Sequence, residues 1–402
     1  MSKLTLEGLD PSTLAGRTVL VRADLNVPLD GDRIRDDQRI VASLPTLRLL
    51  SGAGARTVVL SHLGRPKGKA DPAYSLAPVA RRMTELLEAP VRFVPAPSGP
   101  EVADAVAALS DGEVALLENT RFLPGDEADD PQLADSWASL GGLFVNDAFG
   151  AAHRAHASTS GLAEAMKRRG GASVAGLLMA RELRFLGDAL DQPERPFVAV
   201  LGGAKISGKI DVIQALLPRV DRLLVGGAMA NTFFRALGVE VGASLVEEDR
   251  VAMARETLER AGERLLLPVD CVVAPEVAEG APTRVVDRGS VGSGDRIVDI
   301  GPATRAIFGG ELAAARTIVW NGPMGVFEID AFAEGTVAIA RAAADACDRG
   351  ATAVLGGGDS AAAADRAGVV DRLTHVSTGG GASLELLAGG QLPGVAALSE
   401  EG

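Results

Sequence analysis

The chain has 402 residues, 47% hydrophobic and 23% charged, enough apolar content for sizeable cores and, at ordinary domain sizes, for two domains. A formal net charge of −13 disfavours nucleic acid or an anionic membrane as the main partner, so any anionic substrate must find a local basic pocket. The two cysteines, Cys271 and Cys347, lie far apart in apolar neighbourhoods. They indicate neither a disulfide framework nor a zinc site, and both read as buried packing residues. The opening segment lacks the continuous apolar stretch of a secretion signal, and no run of about 18 apolar residues occurs, so the cytoplasm is the expected address.

Along the chain, short β-branched runs alternate with longer Ala-, Leu- and Arg-rich helical stretches. This pattern predicts an α/β fold: two doubly wound parallel-sheet, Rossmann-like domains with helices on both faces of each sheet. In the first half, strands are expected at 18–22, 57–60, 91–94, 114–117 and 143–145. ADLNVP follows the first, SHLGRP the second, ENTRF the fourth and NDAFGAAHRAH the fifth; open α/β sheets bind ligands beyond such strand ends. Gly176 to Pro196 reads as an amphipathic helix closed by prolines, a rigid connector and hinge. In the second half, expected strands at 197–201, 223–225, 317–320, 353–355 and 375–377 run into GGAK, GGAMAN, NGPMGVFE, GGGDS and TGGGAS. The domains are thus expected at 1–175 and 197–388, joined by 176–196, with a tail at 389–402 folding back on the first.

The endings differ in chemistry. The first half offers Arg22, Arg39, His62, Arg65, Arg121 and Arg154; guanidinium forks around one cleft would grip a doubly anionic metabolite. Asp24 and Asn26 could hydrogen-bond a substrate hydroxyl or merely cap the next turn. His153 and His156 flank Arg154 without a Cys partner or an HExxH spacing, which suits an anion pocket better than zinc, and a structural role remains open for at least one. In the second half, Gly203 to Lys209 nearly spells a phosphate loop, but Ile210 has no hydroxyl for a metal, so it reads either as a phosphate-favouring glycine turn or as an ordinary tight turn. The loops at Gly356–Ser360 and Thr378–Ser383 repeat the glycine pattern before helical runs, and Asp359 is suited to hold Mg²⁺.

VRADLNVP, SHLGRP, ENTRF, FGAAHRAHAS, LGGAK, WNGPMGVFE, GGGDS and STGGGASLELL, in this order, resemble the phosphoglycerate kinase family over nearly the whole chain. The resemblance implies reversible phosphoryl transfer between 1,3-bisphosphoglycerate and ADP, giving 3-phosphoglycerate and ATP, by a monomeric enzyme using Mg²⁺. It implies an acid site at Asp24, Leu25, Asn26, Arg39, His62, Leu63, Gly64, Arg65, Arg121 and Arg154. The nucleotide site falls on Gly203, Lys205, Lys209, Gly227, Ile297, Asn321, Pro323, Glu328, Gly357, Gly358, Asp359 and Ser360, with Glu328 at the ribose and Asp359 at the metal. Arg39 and Lys205 are implied as the catalytic pair. Ile297 stands where the family often has glycine beside the adenine, Ser360 where many members have threonine, and Gly208 where others carry a side chain. The expected chemistry is in-line transfer with no covalent enzyme intermediate, and hinge closure to bring the substrates together. A phosphate-loop NTPase, a nicotinamide dehydrogenase and a non-catalytic anion binder are the rivals. Ile210, the absence of GxGxxG after any strand, and the intact Lys205 and Asp359 count against them in turn.

Overall fold

Parallel pairing organises both halves of the chain. The computed structural model describes residues 3–377 and 379–401; Thr378, the first residue of the last glycine loop read above, lies outside them. The chain divides into two units, Met1–Arg184 with Gln391–Gly402, and Phe185–Gly390.

In the first unit, β1 (Thr18–Arg22), β2 (Arg56–Leu60), β3 (Val91–Val94), β4 (Val114–Leu117), β5 (Leu143–Asn146) and β6 (Ala172–Ala175) form one sheet in the order β3-β4-β2-β1-β5-β6. All its pairs are parallel. Most strand residues are apolar because both faces are covered, and the polar ones gather at strand ends. Val19 and Val21 pack with Leu44 and Leu47 of the helix Gln38–Gly52, while Leu20 and Leu60 pack with Trp137 and Phe144 on the other face. The period-2 alternation of a strand divides these two cores. The register sets Arg22 beside Leu60 and Asn146, so ADLNVP, SHLGRP and NDAFG emerge as neighbours. β6, Ala-Ser-Val-Ala, escapes the sequence reading because small residues carry little strand signal.

In the second unit, β7 (Phe197–Leu201), β8 (Arg222–Val225), β9 (Leu265–Leu266), β13 (Thr317–Asn321), β14 (Thr352–Gly356) and β15 (His375–Val376) make a parallel sheet ordered β9-β8-β7-β13-β14-β15. Leu201 is in register with Val225 and Asn321, and Asn321 with Gly356. The strand expected to end at Ser377 ends at Val376. Ser377 instead accepts the Gly379 N–H on its hydroxyl (3.0 Å) and starts the loop.

Between β9 and β13 lies an antiparallel side sheet in which β10 (Asp270–Ala274) is flanked by β11 (Arg284–Asp287) and β12 (Arg296–Ile300). No strand is expected there from the sequence, because two of the three runs carry charged residues (RVVD and RIVDI) that interrupt the apolar pattern. A small core of Val272, Ala274, Val298 and Phe332 holds this sheet. A helix, Leu177–Asp191, occupies the expected connector, and the two units divide within it. Cys271 is buried as expected, but Cys347 is only half-buried.

Candidate active site

β1 ends in Arg22, whose side chain is completely buried. Its Nε donates to Ser158 Oγ (3.0 Å), one terminal nitrogen to the Ala23 carbonyl (2.5 Å) and the other to His62 Nδ1 (3.0 Å). Arginine has only donors, so Nδ1 of His62 accepts and the neutral ring carries its proton on Nε2. His62 is buried as well, and burial together with Arg22, Arg121, Arg39 and His156 holds its pKa well below 6.5. The ring is therefore neutral at physiological pH. This corrects the sequence reading of Arg22 as a ligand-gripping fork: its nitrogens are engaged from within, and it sets the histidine instead. The buried Asp126 supplies the compensating charge and accepts the Ser158 N–H (3.0 Å).

The three loops at this sheet edge are tied together. Asp24 pairs with Arg39 (2.6 Å), and Asn26 accepts the Gly64 N–H (2.8 Å). Asn26 is thus a strut between loops, not a cap for its own turn. Ser61 Oγ accepts from Leu25 N–H (2.9 Å). Asn119, which the sequence reading passed over within ENTRF, makes four bonds: its oxygen accepts from Leu63 and Arg121 N–H (3.2 and 3.0 Å), and its nitrogen donates to the Leu63 and Tyr74 carbonyls (2.7 and 2.9 Å). Arg121 in turn donates to the Gly64 carbonyl (2.8 Å) and faces Glu127 (3.3 Å). Gly64 has φ +61°, and a Cβ there would overlap the Tyr74 ring, so no other residue fits. Arg154 lies within electrostatic reach of Arg121 and contacts His153 (3.1 Å). Arg65, next to Gly64, is exposed. Around the neutral His62, Arg22, Arg39, Arg65, Arg121 and Arg154 thus outnumber Asp24, Asp126 and Glu127.

The second unit builds its edge from main chain. Gly202 N–H donates to the Asn321 carbonyl, Gly203 N–H to Pro323 and Gly227 N–H to Met324 (each 2.9 Å). Two kinds of glycine follow. At Gly227 (φ +69°) a Cβ would sit 2.5 Å from Gly203 N, so it is required by backbone packing, whereas Gly203 (φ +112°) and Gly358 have nothing within 4 Å of that position and leave space beside the turn. Gly357 (φ +93°) abuts only Asn321, whose amide donates to the Gly356 carbonyl (2.7 Å). The buried Ser360 accepts the Gly322 N–H (2.8 Å), so its hydroxyl joins two loops.

Lys205 and Glu328 are exposed, and so is Asp359 in the first turn of the helix Gly358–Arg366. Lys209 is half-buried; burial pushes its pKa down to about 8, with nearby Asp359 acting the other way. Ile297 lies on β12 with its own N–H held by Ser244 Oγ (2.8 Å). Glu247, missed in the sequence, anchors the Gly203–Lys209 turn by accepting from Ser207 N–H (3.1 Å) and Oγ (2.5 Å). Its partner lies 40 residues away, and no local spacing signals it.

Parallel sheets with arginines and a neutral histidine at one ligand edge, and open glycine turns with lysines and an aspartate at another, define an α/β phosphotransferase. The family described as phosphoglycerate kinase matches residues 9–390. The phosphoglycerate kinase of Chlorobaculum tepidum is 54% identical over 404 residues, and that of Lacticaseibacillus casei 50% over 406, each alignment spanning 100% of both chains. The solved phosphoglycerate kinase of Coxiella burnetii superposes with a TM-score of 0.87 at 42% identity, and that of Pyrococcus horikoshii with 0.84 at 33%, each covering 98% of both chains. The chain belongs to the phosphoglycerate kinase family. It is an enzyme with phosphoglycerate kinase function, as its motifs lead one to expect, and its fold class is the expected one.

Proposed function

We propose that the first unit holds 3-phosphoglycerate or 1,3-bisphosphoglycerate and that the second holds ATP or ADP, for reversible transfer of a phosphoryl group between them. The observation that carries this reading is a neutral, buried His62 with Arg22, Arg39 and Arg121 around it, next to Arg65 and Arg154, which add positive charge beyond what Asp24, Asp126 and Glu127 offset. Asp24, Asn26, His62, Arg65, Arg121 and Arg154 bind the acid, with the main chain of Leu25, Leu63 and Gly64 closing around it. His62 donates from Nε2 to an acceptor oxygen, while the guanidiniums take phosphate and carboxylate.

On the nucleotide side, Gly357 and Gly358 admit phosphate oxygens to main-chain N–H groups, Gly203 leaves room beside its turn, Lys205 and Lys209 supply charge, and Glu328 accepts from the ribose. Asn321, Pro323, Gly227 and Ser360 hold the loops, and Ile297 lies beside the base. Among the described residues no group of three or more His, Cys, Asp or Glu could form a dedicated metal cage. That suits Mg²⁺, which keeps its waters and rides on phosphates with one or two carboxylates; the exposed Asp359 fits this donor set. When bound, Mg²⁺ neutralises charge on the phosphates.

In the transfer, a carboxylate oxygen attacks phosphorus and the terminal bridging P–O bond of ATP breaks, leaving ADP. No enzyme group is acylated or phosphorylated, so the residues act by position and charge. Arg39 and Lys205 stabilise the oxygens of the transferring group, a role worth about 10² or more in rate for one such donor. The same reading makes the enzyme a cytoplasmic monomer. No helix among the described residues is long and apolar enough to cross a membrane. ADP release from MgATP, measured with 3-phosphoglycerate and with glycerate, tests the proposal: turnover should require the phosphorylated acid, and equal rates with both would refute it.

A further inference from the structure

The loop that follows β13, residues 321–330, rests on the side sheet. Val326 N–H donates to the Val298 carbonyl (2.9 Å), and Val326 and Ile329 pack against Val272, Val298 and Phe332. Met324 N–H donates to Thr336 Oγ1 (3.0 Å) in the first turn of the helix Glu334–Asp348. Where loop, strand and helix meet, the carboxylate of Asp299 is 2% exposed. One oxygen accepts from Ile300 N–H (2.9 Å) and the other from Gly335 N–H (2.6 Å). A Cβ on Gly325 would lie 2.5 Å from the first oxygen, and one on Gly335 would overlap it, so the main chain closes on the carboxylate from two directions.

We propose that Asp299 is a positioning residue for the nucleotide: by clamping the helix start to β12, its carboxylate fixes the loop that presents Glu328. This rests on the reading that Glu328 meets the ribose.

The electrostatics argue against a purely structural role. The charged groups facing Asp299 are Arg305, which favours its ionised form, and Glu334, which opposes it; these two pair with each other at 3.3 Å. Cys271, also facing it, is pushed up to about 12 and stays neutral. Burial raises Asp299 to about 7. A carboxyl raised in the folded state binds an extra proton there, so its contribution to stability is lost as pH rises from the ordinary carboxylate range toward 7. A neutral amide of the same shape keeps only one acceptor, and its nitrogen would face the Ile300 or the Gly335 N–H; only the carboxylate holds both, and a charge kept at a cost beside a ligand loop is characteristic of a functional site.

The test is Asp299→Asn at pH 8, with Glu328→Gln alongside. The expected result is a KM for ATP raised about tenfold, the size of one lost charge-assisted hydrogen bond, with a much smaller change in kcat, an unchanged KM for 3-phosphoglycerate and a Tm lowered by the one N–H left without an acceptor. A lower Tm with both KM values raised alike would reduce Asp299 to a structural residue and overturn the proposal. If Glu328→Gln raises the ATP KM and Asp299→Asn does not, this inference alone fails; if neither does, the nucleotide reading of the loop fails with it. Should the Asn variant not fold, Thr336→Val removes the adjacent strut on Met324 and keeps the side chain's shape. An unchanged ATP KM in that variant would equally overturn the proposal.

Discussion

On the proposed reading, the two sheet edges solve the same problem, holding anions, by opposite means. In the first unit the groups are side chains, and much of the hydrogen bonding serves to fix them: Arg22 holds His62, Asn119 holds the turns of Leu63 and Arg121, and Asn26 holds Gly64. In the second unit Gly358 is exposed and Gly203 and Gly358 leave open space where a Cβ would stand, and neighbouring glycines such as Gly227 exist so that the loops can pack. The first edge is held by side-chain bonds between loops, although Asp126 Oδ2 and His156 Nδ1 are buried without hydrogen-bond partners; the second, on the proposed reading, would approach phosphate closely because Cβ atoms are missing. Mutations should therefore act differently on the two edges.

The largest effect belongs to Arg39. Arg39→Ala should lower kcat by at least about a hundredfold while Tm stays nearly constant, since its bond to Asp24 leaves the guanidinium about one-third exposed and partly solvated pairs contribute little. Near-normal turnover would remove Arg39 from catalysis and weaken the contrast. Next comes Asn119→Ala, which orphans two buried N–H groups and two carbonyls. A loss of about 2–4 kcal/mol is expected, read as a lower denaturation midpoint together with a raised KM for the acid.

A pair of glycines tests the contrast within the second unit. Gly227→Ala should cost about 1–3 kcal/mol in strain and lower Tm, because φ is +69° and the space is filled. Gly358→Ala should leave Tm unchanged or higher, since alanine favours a helix start, yet raise the nucleotide KM by blocking the open face. Equal Tm losses in the two variants would erase the distinction between packing and ligand glycines. The smallest effect is that of pH on Lys209. Its pKa of about 8 means that the charged form, and with it part of the ATP affinity, fades as pH rises from about 7 to 9. A depressed lysine is also a stability burden below its folded pKa, so Lys209→Met should abolish that pH component and raise the Tm of the free enzyme at pH 7. A titration curve identical to that of the native enzyme would exclude Lys209.

The legibility of the chain follows the same division. Parallel strands such as Thr18–Arg22 and Phe197–Leu201 were visible because burial on both faces makes them continuous apolar runs, and their ligand-bearing endings were visible because glycine and arginine are chemically conspicuous. β6 and β9 were not, one built of small residues and the other only two residues long. In the site, the types of residue were legible but their partners were not. Whether Arg22 faces a ligand or a histidine depends on Ser158, 136 residues away, and no local pattern carries that information. Asn119 and Glu247 likewise act through contacts far along the chain, 56 and 40 residues away.

The Nδ1 contact of His62 has a consequence for selectivity. An imidazole obliged to accept from a guanidinium on one side can only give on the other, so this pocket reads the hydrogen-bond polarity of what enters: an oxygen with free lone pairs is welcomed, and a group that must itself donate is turned away. Since no charge on that ring changes between about pH 7 and 9, its contribution to holding the acid should stay constant over a range in which Lys209 discharges. Acid and nucleotide grip should then part company as the medium becomes alkaline.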